Sequence, residues 1–267
     1  MLIRRHFARL LLLTAFALFA GKVSILAQPT APDFSEPEVG RILRIGVAPT
    51  GPPVIFKQGE KYSGIEADLA RAFCADIQKI PQFVEVPFND LIPALLDGKI
   101  DIIMSGMSFT EMRAIRVNFS QPYLKVGQMP LVRIEDVSKY PSTLGLINTK
   151  GKVGVEFGTT GDYLVQENFL YAERVPYRDI EQAPKDLIAG KIDMFIYDSP
   201  VIWWYASEYE SQGLAPLLAP LSEEFLCWAV RKDDSNLLAA ANDFLELYRS
   251  SGKLQEIIKK WMPYAKL

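Results

Sequence analysis

Two hydrophobic periods take turns along most of this chain. Ile42 to Val47 is a short apolar run that predicts a strand, and the turn-rich PTGPPV follows it. Over GIEADLARAFCADIQ the apolar positions Ile65, Leu69, Ala70, Phe73 and Ile77 fall on one helical face. PQFVEVPF predicts a second strand. Asn89 or Asp90 then caps a helix carrying Leu91, Ile92, Leu95 and Leu96, with Pro93 early enough to be tolerated. Gly98 ends that helix, Ile100 to Met104 is a short apolar run suited to a strand buried on both faces, and Ser105-Gly106-Met107-Ser108 is a turn of small residues. Thr110 is a good N-cap for a helix beginning TEMR, which sets Arg113 one turn in. A strand end that feeds a helix N-terminus through a polar loop is where open α/β sheets hold ligands. Free N–H groups, two hydroxyls and a guanidinium suit a carboxylate or another small anion. An ordinary βα connection with Arg113 on a solvated face is the alternative.

After FSQPYLKVGQMPLVR leaves this first unit, a second one unfolds in the same style. Leu144 to Asn148 and the Lys150-Gly151-Lys152 turn lead into strand VGVEF, which ends in Gly158-Thr159-Thr160-Gly161 before a helix beginning near Asp162. ERVPYR reads as a strand, EQAPKDLIAG as a helix, KIDMFIYD as a strand stopping on Asp198, and SPVIWWYASEY as a helix. LCWAVRK is a strand expected to cross back toward the first unit. SNLLAAANDFLELYRSSG and KLQEIIKKWM are amphipathic helices separated by Gly252. ALLDGKIDIIMS recurs as DLIAGKIDMFIYD about ninety residues later. Two similar α/β units explain that echo economically, with a chance likeness in so short a motif as the alternative.

The N-terminus changes which composition matters. Arg4, Arg5 and Arg9 precede an apolar stretch from Leu10 to Gly21, and Ile-Leu-Ala ends near residue 27. This is the pattern of a secretory signal peptide over residues 1–27, too short for a comfortable membrane span and followed by no cysteine for a lipid anchor. The expected location is therefore the periplasm or another extracytoplasmic space. Without those residues the chain carries 25 basic and 32 acidic side chains, a net of −7, which argues against nucleic acid or an anionic membrane surface as partner. The only histidine, His6, leaves with the signal. Serine–histidine and cysteine–histidine catalysis and histidine-based zinc sites are thereby excluded from the mature chain, and no cofactor or metal is expected. Cys74 and Cys227 follow no metal spacing. Each is a buried free thiol or, in an oxidising compartment, half of a disulfide. About 240 mature residues suffice for two modest domains or one larger one. No coiled-coil segment appears, and a monomer is expected.

NDLIPALLDGKIDIIMSGMSFTEMRAIRVNFSQPYL closely resembles the solute-binding proteins of polar amino-acid ABC transporters, the periplasmic solute-binding protein family 3. Further motifs extend the likeness from about Leu43 to the C-terminus: LRIGV, GIEADLARAF, GVEFGTTG, GKIDMFIYD and SGKLQEIIKKW. The resemblance implies an α/β, two-lobed, type II periplasmic-binding-protein-like fold with two crossover hinge segments near 125–128 and 220–226. Lobe 1 would comprise residues 28–126 plus 225–267, and lobe 2 residues 127–224. It also implies a small-molecule ligand, an amino acid, captured by hinge closure and delivered to a membrane permease.

The same resemblance assigns roles to individual residues. Arg113 matches the arginine that clamps a ligand α-carboxylate, helped by Ser108 and by backbone N–H groups near Ser105 and Gly106. Thr160, beside Thr159, matches a second-lobe threonine reaching the same carboxylate, and Asp198 matches the acid that accepts the α-ammonium. A bidentate cation and an anion held a few ångströms apart suit a zwitterion. Phe88 matches an aromatic that packs on the ligand side chain. In the first loop this chain departs from the pattern: Ala48 and Gly51 stand where many members have an acid and an aromatic, which weakens the case for lysine, arginine or ornithine. Glu156 either compensates by facing a cationic or amide side chain or points outward.

Enzymes share this fold. Cyclohexadienyl dehydratases resemble the chain in the loop and arginine motifs but require a glutamate shortly after the strand-end aspartate, where this chain reads Ser199-Pro200-Val201. Lytic transglycosylases need a further catalytic domain for which no residues remain. A ligand-sensing subunit would share the same site. A transport binding protein is the favoured reading. N-terminal sequencing of the exported protein should place its first residue near Gln28; an intact Met1 in the membrane pellet would overturn the signal-peptide assignment.

Overall fold

The structure is a computed structural model that describes residues 41–49 and 51–263. The signal segment, the lead-in around Pro29 to Glu38, and His6 lie outside the described residues. Strand β1 (Ile42–Val47) opens the described chain. β2 (Phe56–Gln58) and β3 (Lys61–Ser63) form a hairpin that the periodicity does not announce, since most of its residues are polar and exposed. Helix α1 (Ile65–Asp76) buries Ile65, Leu69, Ala70 and Phe73 as its apolar face dictates. β4 (Ile80–Glu85), α2 (Leu91–Leu96), β5 (Ile102–Ile103), α3 (Glu111–Ala114), β6 (Asn118–Phe119) and β7 (Leu124–Val126) follow. The expected strand over Ile100 to Met104 is ladder-paired only at its centre, though all four of its apolar residues are fully buried.

The chain then crosses into a second sheet through β8 (Gln128–Arg133), α4 (Thr143–Ile147), β9 (Lys152–Glu156), α5 (Thr160–Asn168) and β10 (Glu173–Tyr177). α6 (Gln182–Ile188), β11 (Met194–Asp198), α7 (Ser199–Glu208) and β12 (Leu214–Pro216) complete it. β13 (Glu224–Leu226) pairs with β7 in a separate two-stranded ribbon and β14 (Ala229–Val230) returns to the first sheet, so the single strand expected over LCWAVRK is broken at Cys227 and Trp228. α8 (Ser235–Ser250) and α9 (Lys253–Trp261) close the described chain. Among the described residues no helix is long and apolar enough to cross a membrane. Cys74 and Cys227 are buried and free.

The strand orders are β4-β1-β5-β14-β6 and β10-β9-β11-β8-β12. In each sheet three strands run parallel and the next pairs antiparallel to the third. The Gly-Lys-Ile-Asp echo is the local cause of this likeness. The Asp101 N–H donates to the Arg44 carbonyl at 2.8 Å while its carboxylate accepts from the Arg44 N–H at 2.9 Å. Asp193 makes the same two bonds with Lys152, at 2.8 and 2.7 Å. Each aspartate is also paired with an arginine, Arg44 in the first sheet and Arg133 in the second. Gly98 and Gly190, at φ +69° and +70°, supply the left-handed turn that separates the preceding helix from this register lock.

The C-terminal helices pack against α1, beside the first sheet. Trp228 packs its ring 5.4 Å from Phe73 of α1 and 5.9 Å from Phe244 of α8. Beneath them lies Glu66, fully buried, whose carboxylate accepts hydrogen bonds from the Gly106 N–H (2.9 Å), the Tyr123 hydroxyl (2.7 Å) and the Trp228 indole N–H (2.9 Å). Burial nonetheless pushes its pKa up to about 7. In the unfolded chain it ionises near 4.5, so the folded state holds the extra proton between those values and folding weakens as pH rises through that window. Between pH ~5 and ~7.5 the melting temperature of the ligand-free protein should fall. Glu66→Gln should lessen that slope, to which the similarly raised carboxyls of Glu156 and Asp198 also contribute, even if it lowers the melting temperature throughout; a slope as steep as wild type would show that Glu66 carries no share of it.

Candidate functional site

Strand ends and helix starts from both sheets converge on one cleft. In the first lobe Thr110 caps α3 as expected, its hydroxyl accepting from the Arg113 N–H at 3.2 Å. This sets the Arg113 side chain back over the preceding loop, where one guanidinium nitrogen donates to the Ser108 carbonyl at 2.9 Å. The guanidinium sits 5.3 Å from the centre of the Phe88 ring, so the aromatic packs on the arginine itself. In the second lobe Thr159 caps α5, accepting from the Asp162 N–H at 3.3 Å and donating to the Glu156 carbonyl at 2.8 Å. The helix therefore begins at Thr160, two residues earlier than expected.

Burial and charge shape what these groups can do. Glu156 is buried and faces the cleft, which settles the choice between inward and outward orientation. Its carboxylate accepts from the Tyr197 hydroxyl at 2.6 Å, and burial pushes its pKa up to about 7. Asp198, at the end of β11, accepts from the Gln128 amide at 2.6 Å. Burial first, and the negative charge of Glu224 next, raise its pKa to about 7. Burial draws the Arg113 guanidinium below its usual value, opposed by the charges of Asp198, Glu224 and Glu156. One cation thus shares a low-dielectric space with three carboxyl groups.

Other expected participants have different work. The Ser105 hydroxyl is buried, accepting from the Ala48 N–H at 2.7 Å and donating to the Ala48 carbonyl at 3.2 Å. The Gly106 N–H is taken by Glu66, and the Thr159 hydroxyl by the α5 cap. The Ser105 and Thr159 hydroxyls and the Gly106 N–H thus hold the loops from beneath. Neither Asn89 nor Asp90 caps α2 with its side chain; Asn89 reaches across to the second lobe and donates to the Phe157 carbonyl at 2.8 Å. On one side of that bridge lies a cavity of about 770 Å³ bordered by Ala48, Phe88, Glu156 and Asp179. On the other lies one of about 790 Å³ bordered by Arg113, Thr160, Tyr163 and Glu224.

The family model of the bacterial extracellular solute-binding proteins, family 3, matches residues 43–264. The chain belongs to that family. An L-arginine-binding protein of Pseudomonas aeruginosa is 30% identical over 266 residues, 96% of this chain and 97% of its own. The ABC transporter glutamine-binding protein GlnH of Bacillus subtilis is 32% identical over 203 residues, 74% of this chain and 72% of its own. Among solved structures, an ancestral amino acid-binding protein described as a precursor of cyclohexadienyl dehydratase has a TM-score of 0.77 at 31% identity, covering 83% of this chain and 95% of that one. The two-lobed α/β fold expected from the motifs is the fold of these solute-binding proteins.

Two cleft residues of this solute-binding protein escaped sequence reading. Gln128 is almost wholly buried and donates both to Asp198 and, at 3.2 Å, to the Thr160 hydroxyl. Glu224 accepts from the hydroxyls of Ser108 and Thr160. Gln128 opens β8 and Glu224 opens β13, and their side-chain partners, far away in the sequence, were not legible. A cation beside Asp198 favours its ionised form, so a cationic group bound there should displace a proton. Affinity should then rise as pH increases from ~5.5 to ~8, and the calorimetric binding enthalpy near pH ~6.5 should vary with the ionisation enthalpy of the buffer. A buffer-independent enthalpy would place the bound cation elsewhere.

Proposed function

We propose that this protein is an extracytoplasmic binding protein that captures an amino acid by closure of its two lobes and hands it to an ABC transporter permease. It acts as a monomer, by binding and without catalysis. The observation that carries the reading is the meeting of Arg113, from the first lobe, with Asp198, from the second, in one buried electrostatic neighbourhood. A zwitterion matches that pair, its α-carboxylate on the guanidinium and its α-ammonium on the carboxylate. Membership of the family and the amino-acid ligands named for its relatives support it.

Specificity follows from the other half of the cleft. The acid missing from the first loop has a replacement on the opposite lobe, where Glu156 and Asp179 border the cavity beside Phe88. The side chain that fits there ends in N–H donors, as guanidinium, ammonium, imidazole and amide groups do. The first-loop departure therefore does not exclude cationic amino acids. Against a dehydratase stand Ser199 and Pro200, which open α7 directly after Asp198 and offer no carboxyl group at the place where such an enzyme requires one.

A thermal-shift screen of the common amino acids should identify ligands whose side chains end in nitrogen donors, because a ligand of the folded state alone raises its stability. With that ligand, Arg113→Ala should abolish measurable binding. Charged hydrogen bonds contribute roughly 1.5–3 kcal/mol each, so Asp198→Asn should weaken binding by about tenfold to a hundredfold or more. Asp198→Asn should affect the amino acid far more than its desamino analogue; equal losses for the two ligands would remove Asp198 from the ammonium site.

A further inference from the structure

Glu224 stands at the start of β13, on the segment that returns from the second lobe to the first. One of its carboxylate oxygens accepts from the Ser108 hydroxyl at 2.6 Å and from the Thr160 hydroxyl at 2.7 Å, joining a first-lobe side chain to a second-lobe one. The other oxygen accepts from the Ser222 hydroxyl at 2.7 Å. A hydroxyl has a single proton to give. The Thr160 oxygen is occupied further by the hydrogen bond it receives from the Gln128 amide. Both hydroxyls that would otherwise serve a ligand carboxylate are therefore spent on a carboxylate of the protein, and Arg113 is the donor left for an incoming anion.

The charges point the same way. Arg113 already faces Asp198, Glu224 and Glu156. A simple carboxylic acid would bring one more negative charge to this set and find both hydroxyls engaged. A zwitterion carries its own compensating ammonium to the same place. From this geometry we infer that Glu224 is a specificity-determining residue that excludes carboxylic acids lacking an ammonium group, by occupying the Ser108 and Thr160 hydroxyls with a resident negative charge. The inference rests on the reading of the cleft as an amino-acid site.

The test uses Glu224→Gln, whose amide oxygen still accepts from Ser108 and Thr160 while the charge is gone. Dissociation constants for L-arginine and for desamino-arginine are measured by calorimetry on wild type and variant. Wild type should prefer arginine strongly, and in the variant that preference should narrow by about tenfold, chiefly through tighter binding of the desamino compound. A merely structural role would weaken both ligands together and leave their ratio unchanged, which would overturn the inference. Glu224→Asp, which keeps the charge, should retain the wild-type ratio; a ratio narrowed as far as in Glu224→Gln would also overturn it. Should Glu224→Gln fail to fold by circular dichroism, Glu224→Ala takes its place with the same expected narrowing.

A separate arm distinguishes failure of this inference from failure of the functional reading. Acetate, butyrate and desamino-arginine are screened by thermal shift. They should stabilise Glu224→Gln and leave wild type unmoved, whether or not any amino acid binds. If wild type binds no amino acid but the acids stabilise only the variant, the functional reading falls and the role of Glu224 stands. If the acids stabilise both proteins equally, Glu224 is not the excluding group.

Discussion

The two lobes hang from crossover segments that press against each other at Gly127 and Ser222. A side chain at Gly127 would place its Cβ 2.2 Å from the Ser222 carbonyl oxygen, so only glycine permits the approach. Around this point β7 pairs with β13, the Ser222 hydroxyl accepts from the Gln128 N–H at 3.0 Å, and the Leu221 N–H donates to the Gln128 carbonyl at 2.8 Å. Everything the cleft does depends on this contact. It fixes the spacing of the two sheets, and it carries Gln128 and Glu224 into the space between them.

Within the cleft the decisive quantity is the imbalance of charge. A lone guanidinium beside three carboxyl groups, all partly or wholly withdrawn from water, cannot satisfy them at once. Burial first, with the charges of Glu224 and Glu156 beside Asp198 and of Asp179 beside Glu156, pushes the pKa of both Asp198 and Glu156 up to about 7. A ligand with positive charge relieves the imbalance, because it neutralises the carboxylates. Binding energy, selectivity against bare acids and proton release thus have one electrostatic origin.

Glu66 shows that the site is braced from below as carefully as it is charged from within. Its three hydrogen bonds tie the loop at Gly106, the outgoing segment at Tyr123 and the returning segment at Trp228 to the start of α1. The loop that presents Ser108 and orients Arg113 therefore moves with the core of the first lobe. Asp162 performs a related task across the cleft, accepting from the Gly158 N–H at 2.8 Å and pairing with Arg174. Each lobe thus has its own rigid support beneath the cleft.

What the sequence determined by itself is what repeats or stays local. Helix faces at period 3.6, strands as apolar runs, the Thr110 cap and the Gly-Lys-Ile-Asp repeat depend on neighbours a few residues away, so they are legible in the residues. Arg113, Thr160, Asp198 and Phe88 were named as candidate ligand contacts by the resemblance of their motifs to those of the family. Motif reading also gave Ser105, Gly106 and Thr159 a place at the ligand; that the Ser105 and Thr159 hydroxyls and the Gly106 N–H brace the loops was not legible, since which partner a hydroxyl or N–H takes is settled only by what packs beneath it. Tertiary structure alone decided the roles of Gln128, Glu224 and Glu66. Ser108 and Glu224 lie 116 positions apart along the chain, and no local pattern encodes a hydrogen bond formed over that separation. Their chemistry exists only when two crossovers meet and bring groups from both lobes into one volume poor in water.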